Sequence, residues 1–203
     1  MGRQTRWESA TTHGYGVRFA ELVRDGADID GEARLVDVLA PRRATVLDAG
    51  SGMGRVAAGI QRRGHTVTAV EKDPALVAQS EETFPSVPVV PADLIDLTAD
   101  LLESHGRPTS YDVIAVVGNV IVFLAPDSEV AVLARLRDLL TDSGRIVVGF
   151  HPAYGPGGAR DYAPGEFEAD VAAAGLAVAH RFGTYELHPP AEDYCVYVLQ
   201  RAS

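Results

Sequence analysis

Residues 46–55 read Val-Leu-Asp-Ala-Gly-Ser-Gly-Met-Gly-Arg, an apolar run that passes directly into a turn with three glycines. The apolar run predicts a strand over Thr45–Ala49, and the residues behind the turn predict a helix from about Gly54 to Arg63. A glycine-rich turn between a strand and a helix lets the backbone approach a ligand closely. We therefore expect the chain to bind a ligand where the first strand of an α/β sheet ends.

Strand-like and helix-like patterns alternate from Thr45 onwards, which is typical of a parallel α/β sheet. The last two predicted strands form an antiparallel hairpin, and Thr141–Gly144 predicts a turn before the fifth strand. We expect one domain over residues 1–203, with a helical extension or lid over 1–40 and a Rossmann-like core over 41–203. The predicted strands after the first are 66–70, 87–90, 112–117, 145–150, 176–182 and 194–200, and the other predicted helices are 16–24, 31–39, 74–83, 127–140 and 165–174.

The spacing of the glycines distinguishes two kinds of ligand. A nicotinamide dinucleotide turn reads G-x-G-x-x-G, whereas this turn reads G-x-G-x-G with Asp48 two positions before Gly50. A carboxylate beside the turn would repel a pyrophosphate. S-adenosylmethionine has no phosphate, and negative charge favours its sulfonium and its α-ammonium group. The turn therefore favours S-adenosylmethionine over a dinucleotide.

Polar side chains follow three further strands at their carboxyl ends. Glu71 lies 21 residues after Gly50, where a carboxylate can accept hydrogen bonds from both ribose hydroxyls. Asp93 follows the third strand and can accept from an adenine amino group, and Gly118 and Asn119 follow the fourth. Ligands of open α/β sheets bind at these strand ends, so we expect the residues to share one site.

Residues 46–55 resemble the glycine-rich motif of class I S-adenosylmethionine-dependent methyltransferases, and Glu71, 92–94 and 112–124 resemble the family's next motifs. Shorter stretches, such as Gly118 to Val120, are similar to small actinobacterial methyltransferases. The resemblance implies a Rossmann-like three-layer sandwich with a seven-stranded, mostly parallel sheet of order 3-2-1-4-5-7-6 and strand 7 antiparallel. The predicted cofactor-binding residues are Asp48, Ala49, Gly50, Ser51, Gly52, Met53, Gly54, Glu71, Lys72, Asp93, Leu94, Gly118 and Asn119.

Fewer residues in the sequence can be assigned to the methyl acceptor than to the cofactor. His151 directly follows the fifth strand and is the first candidate for positioning or deprotonating an acceptor, and Tyr15 lies in the extension that lids this site in the family. Val122 stands where family members commonly carry a polar group, so we expect no catalytic side chain there.

Composition limits the partners. The formal net charge of −10 disfavours nucleic acid, and we expect a small-molecule methyl acceptor. No run of about 18 apolar residues predicts a membrane span, and no signal peptide or metal-ligand spacing is visible, so we expect a cytoplasmic protein without a metal. Two alternatives stay open, a methyltransferase fold that binds the cofactor without turnover and an NAD-dependent oxidoreductase. The oligomeric state has no signal in the sequence.

Overall fold

A computed structural model of the chain describes residues 4–10, 21–22, 24–26 and 28–202. Its seven strands form one sheet of order β3-β2-β1-β4-β5-β7-β6, in which β7 runs antiparallel to both neighbours and the other pairs are parallel. This topology confirms the sequence prediction. The strands are β1 Thr45–Ala49, β2 Thr66–Glu71, β3 Val89–Pro91, β4 Tyr111–Val116, β5 Leu140–Phe150, β6 Leu176–Phe182 and β7 Cys195–Arg201.

Helices cover both faces of the sheet. Alternate residues of β1 and β4 point to opposite faces, and each face builds its own apolar core. The core on one face includes Leu136 and Phe167, and the core on the other includes Leu35 and Ile60. The described helices are α1 Arg6–Ser9, α2 Gly31–Leu39, α3 Arg55–Arg62, α4 Pro74–Thr83, α5 Ala99–Ser104, α6 Glu129–Asp138 and α7 Pro164–Ala173.

The structure corrects three sequence predictions. The predicted turn over Thr141–Gly144 is wrong, because β5 already begins at Leu140. The pairing of β5 with β4 is irregular between Leu140 and Arg145, so residues 141–144 lie within the strand. The third strand is Val89–Pro91 and lies one to two residues later than predicted. The sequence prediction missed the short helices α1 and α5. Most of the predicted helix 16–24 lies outside the described residues.

A buried ion pair fastens the helix before the sheet to the helix after the glycine-rich turn. Arg55, the first residue of α3, donates through Nη1 to Glu32 Oε2 of α2 at 2.9 Å and to the Ile29 carbonyl at 2.7 Å. Its other terminal nitrogen also donates to the Glu32 carboxylate, which makes the contact bidentate. Both side chains are about nine-tenths buried. The pair therefore fixes where α3 begins.

We expect Glu32→Ala to lower the free energy of unfolding by about 3–5 kcal/mol, because it removes the carboxylate partner of a buried guanidinium. Chemical denaturation measures the loss. Asp28→Ala is the matched control, since Asp28 pairs with Arg34 of the same helix on the exposed surface and its loss should leave the midpoint nearly unchanged. Equal midpoints for both variants would contradict this account of the buried pair.

Candidate functional site

A cavity opens where β1, β2, β3 and β4 end, at the edge of the sheet where ligands of α/β folds bind. It contains eight of the residues that the sequence assigned to a cofactor: Gly50, Gly52, Glu71, Lys72, Asp93, Leu94, Gly118 and Asn119. The rest of the wall is mostly apolar and is formed by Thr5, Trp7, Val70, Leu76, Ala92, Val117, Val120, Phe123, Leu124 and Pro156. The structure thus brings together residues from four strand ends.

Glu71 connects the glycine-rich turn to the end of β2. Its Oε2 accepts a hydrogen bond from the Gly52 amide, and its Oε1 accepts from the amides of Lys72 and Asp73, all at 2.8 Å. Burial raises the pKa of this carboxyl, while the three amides act in the opposite direction. Since a carboxylate has about four acceptor sites, at least one remains for a ligand in the cavity.

Lys72 is the single lysine of the chain and lies between two carboxylates. Its Nζ is 2.9 Å from Asp93 Oδ2 and 3.0 Å from Glu8 Oε1. Partial burial opposes the charge, but these two partners raise the pKa of Lys72. The positive charge of Lys72 is therefore balanced by two carboxylates, and the cavity wall near Asp93 does not favour a phosphate.

Five predicted cofactor residues lie outside the cavity wall. Ala49 is buried at the end of β1, and Ser51, Met53 and Gly54 are buried in the turn itself. The Asp48 carboxylate is 2 % exposed and accepts from the Ala57 amide of α3 at 2.9 Å. Burial raises the pKa of Asp48 to about 7. In this structure Asp48 joins the strand to the first turn of α3.

Residues 4–10, which we call the N-terminal strap, cross the cavity from one side to the other. On the β2 side, Trp7 Nε1 donates to Asp73 Oδ2 at 2.9 Å, and Glu8 pairs with Lys72. On the β4 side, the Trp7 ring meets Phe123 edge to face at 5.4 Å, and Arg6 Nη1 donates to the Leu124 carbonyl at 2.8 Å. Thr5 and Trp7 therefore close a cavity that the sheet alone leaves open.

The loop between β5 and α7, residues 151–163, forms a second part of the roof. Its Pro156 lines the cavity, and a Cβ atom on its Gly158 would lie 2.8 Å from Ala10 of the strap. Arg160 of the loop and Arg6 of the strap donate to the same atom, Oε1 of Glu129, at 2.5 and 2.9 Å. The strap and the loop thus share one buried carboxylate at the start of α6.

His151 lies beside Asn119, a residue of the cavity wall. The Asn119 Oδ1 atom is 2.9 Å from the His151 backbone nitrogen and 3.0 Å from His151 Nδ1. The Tyr194 ring meets the imidazole edge to face at 4.7 Å, and the Tyr194 hydroxyl is 2.9 Å from that of Tyr185. The other predicted catalytic residue, Tyr15, lies outside the described residues.

Most of the apolar wall residues were not predicted individually from the sequence. Val120 and Phe123 belong to a short 3₁₀ helix after β4, and their apolar side chains resemble those of any core segment. Val122, expected to carry no chemistry, is fully buried. The strap has no periodic pattern, because α1 has only four residues. The expected lid over 1–40 and the family resemblance of 112–124 include these segments, but no local pattern assigns their individual side chains to the cavity.

Comparison with known proteins identifies the family. A family model described as a methyltransferase domain matches residues 47–146. The structure of a TehB-like SAM-dependent methyltransferase from Corynebacterium glutamicum is 33 % identical with a TM-score of 0.81, and the match covers 93 % of this chain and 96 % of that one. A search of curated protein sequences gave no significant match.

Two more distant structures share the fold. The CcbJ methyltransferase from Streptomyces caelestis is 21 % identical with a TM-score of 0.73, and the match covers 86 % of this chain and 90 % of that one. The 1,6-didemethyltoxoflavin-N1-methyltransferase from Burkholderia thailandensis is 22 % identical with a TM-score of 0.63, and the match covers 96 % of this chain and 92 % of that one.

The chain belongs to the S-adenosylmethionine-dependent methyltransferases, and its cofactor is S-adenosylmethionine. The cavity fits this cofactor, because carboxylates follow β2 and β3, the one lysine is neutralised by acids, and the turn of β1 leaves no room for a side chain. Among the described residues, no helix is long and apolar enough to span a membrane, and no cluster of potential metal ligands occurs.

We expect Gly50→Ala to abolish measurable S-adenosylmethionine binding in calorimetry. Gly50 has φ +81°, and an added Cβ would lie 2.5 Å from Val120, so the turn and the opposite wall cannot both keep their places. Gly64→Ala is the matched control, because Gly64 has φ +91° but an added Cβ atom there would meet no neighbouring group within 4 Å. That variant carries the backbone strain alone and should bind normally. Normal binding by Gly50→Ala would show that the close approach is unimportant.

Proposed function

We propose that this methyltransferase acts on a small-molecule acceptor that enters under the roof formed by the N-terminal strap and the 151–163 loop. The partly roofed cavity carries this proposal: residues from both segments line it, and both segments are tied to Glu129. A site roofed by its own chain suits a ligand that can be enclosed. A polymer would need an open groove along the surface.

The cofactor roles are part of the proposal. Glu71 accepts from the ribose hydroxyls, Asp93 accepts from the adenine amino group, and the backbone at Gly50, Gly52 and Gly118 meets the methionine part. The apolar wall, which includes Leu94 and Val120, packs against the adenine ring. S-adenosylmethionine supplies an activated methyl group on a sulfonium. The chain supplies proximity and alignment, which dominate when the leaving group is a neutral thioether.

Charge and relatives support a small, neutral or cationic acceptor. The chain has a formal net charge of −10, which repels a nucleic acid backbone. The Burkholderia thailandensis structure contains 1,6-didemethyltoxoflavin and S-adenosylhomocysteine, so a protein of this fold binds an acceptor other than a nucleic acid. Neither the family model nor the solved structures support the alternatives of an NAD-dependent oxidoreductase or a binding protein without turnover.

The role of Glu71 is tested by Glu71→Gln, which we expect to weaken S-adenosylmethionine binding by about 1–3 kcal/mol. A glutamine keeps the shape, but its NH₂ group cannot accept from the ribose or from a backbone amide. Titration calorimetry with S-adenosylmethionine and S-adenosylhomocysteine measures the change. Glu82→Gln on the exposed surface of α4 is the control. Equal affinities for both variants would remove Glu71 from the cofactor site.

We also propose that residues 1–40 serve as an extension that closes the single domain, with the strap as the described part that lies at the cavity. Hydrogen exchange of residues 4–10 should slow when S-adenosylhomocysteine binds, because closure excludes water from the cavity. Trp7→Phe should raise exchange in the bound state, since phenylalanine keeps the ring contact with Phe123 but loses the bond to Asp73. The same exchange with and without the product would argue against a closing strap.

A further inference from the structure

The hydrogen bonds around His151 determine which ring nitrogen is basic. The His151 backbone N–H is an obligatory donor, so the Asn119 side-chain atom facing it at 2.9 Å must be the carbonyl oxygen and not the NH₂ group. That same oxygen lies 3.0 Å from Nδ1. Because Oδ1 can only accept, the neutral imidazole must carry its proton on Nδ1. The lone pair then belongs to Nε2.

The position of this imidazole is also fixed. Asn119 has φ +75°, a left-handed conformation that asparagine tolerates better than most residues, and its own amide donates to the Gly149 carbonyl at 3.0 Å. The Tyr194 ring also packs edge to face with the imidazole, with the ring centroids 4.7 Å apart. Within the described part of the chain, no group bonds to Nε2 of His151. A base whose Nε2 has no hydrogen-bond partner among the described residues thus lies directly beside Asn119, a residue that lines the cavity.

We propose that His151 Nε2 is the general base of this methyltransferase, that Asn119 is the residue that positions it, and that the acceptor arrives as a neutral O–H or N–H group. This inference rests on the proposed function. The acceptor oxygen or nitrogen bonds to the methyl carbon while the carbon–sulfur bond breaks, and the electron pair of that bond stays on sulfur. The acceptor proton passes to Nε2. A carboxylate acceptor is already ionised at neutral pH and would need no such base.

A spectroscopic test does not require the acceptor to be known. Long-range ¹H–¹⁵N correlation spectra of ¹⁵N-histidine-labelled protein with S-adenosylhomocysteine report the tautomer of each of the six histidines. Loss of one signal set in His151→Gln, or in His151→Ala if the first variant does not fold, assigns His151. We expect the Nδ1–H tautomer in the wild type. Asn119→Asp should retain it, whereas Asn119→Gly tolerates the backbone conformation but removes the acceptor and should lose it. An Nε2–H tautomer in the wild type would overturn the proposal.

Turnover provides the second test. Small phenols and N–H heterocycles are offered with S-adenosylmethionine, and the S-adenosylhomocysteine formed is measured. His151→Gln should lower turnover about 10²-fold or more while calorimetric affinity for S-adenosylhomocysteine stays unchanged. The control is His180→Gln, whose side chain lies exposed on β6. Wild-type turnover in His151→Gln overturns the proposal. If no compound is methylated, the tautomer decides, and a wild-type protein that binds no S-adenosylmethionine refutes the proposed function itself.

Discussion

The carboxylate of Glu71 holds the cavity in shape through three backbone amides, one from the glycine-rich turn and two from the end of β2. The Gly52 amide is buried, and an unpaired buried amide costs about 1–3 kcal/mol; the amides of Lys72 and Asp73 are partly buried where the chain leaves β2. The turn cannot move relative to β2 without breaking a charge-assisted bond. A cofactor that also bonds to Glu71 therefore meets a carboxylate that is already oriented.

The charges near the turn are arranged in two layers. At the surface of the cavity, Lys72 is held between Glu8 and Asp93, so its charge is balanced before any ligand arrives. Deeper inside, Asp48 lies near the Arg55–Glu32 pair, and burial brings the pKa of Asp48 to about 7. The sequence predicts Asp48 as a charge beside the ligand. In the structure, Asp48 also connects β1 to α3 through the Ala57 amide.

The sequence predicted the parts of the fold that follow from local pattern. The first strand, Thr45–Ala49, has the predicted bounds because an apolar run is followed immediately by glycines. The start of β5 could not be predicted, since Asp142-Ser143-Gly144 has turn composition, and β5 begins before it only because Leu140 pairs with Tyr111 of β4. In the site, the strand-end rule brought Glu71, Asp93 and Asn119 to one cavity. A lid over 1–40 was expected, but the contacts of the strap with Asp73 and Leu124 could not be predicted, because they join residues 66 and 118 positions apart.

The shared carboxylate of Glu129 links the two parts of the roof. Arg6 and Arg160 approach one oxygen of a side chain that is 4 % exposed, so each guanidinium contributes to balancing the same buried charge. If the strap lifts, Arg160 alone must neutralise Glu129. If the 151–163 loop moves, Arg6 must do so. Since His151 begins that loop and Trp7 belongs to the strap, the positions of the proposed base and of the cavity wall depend on one ion-pair network.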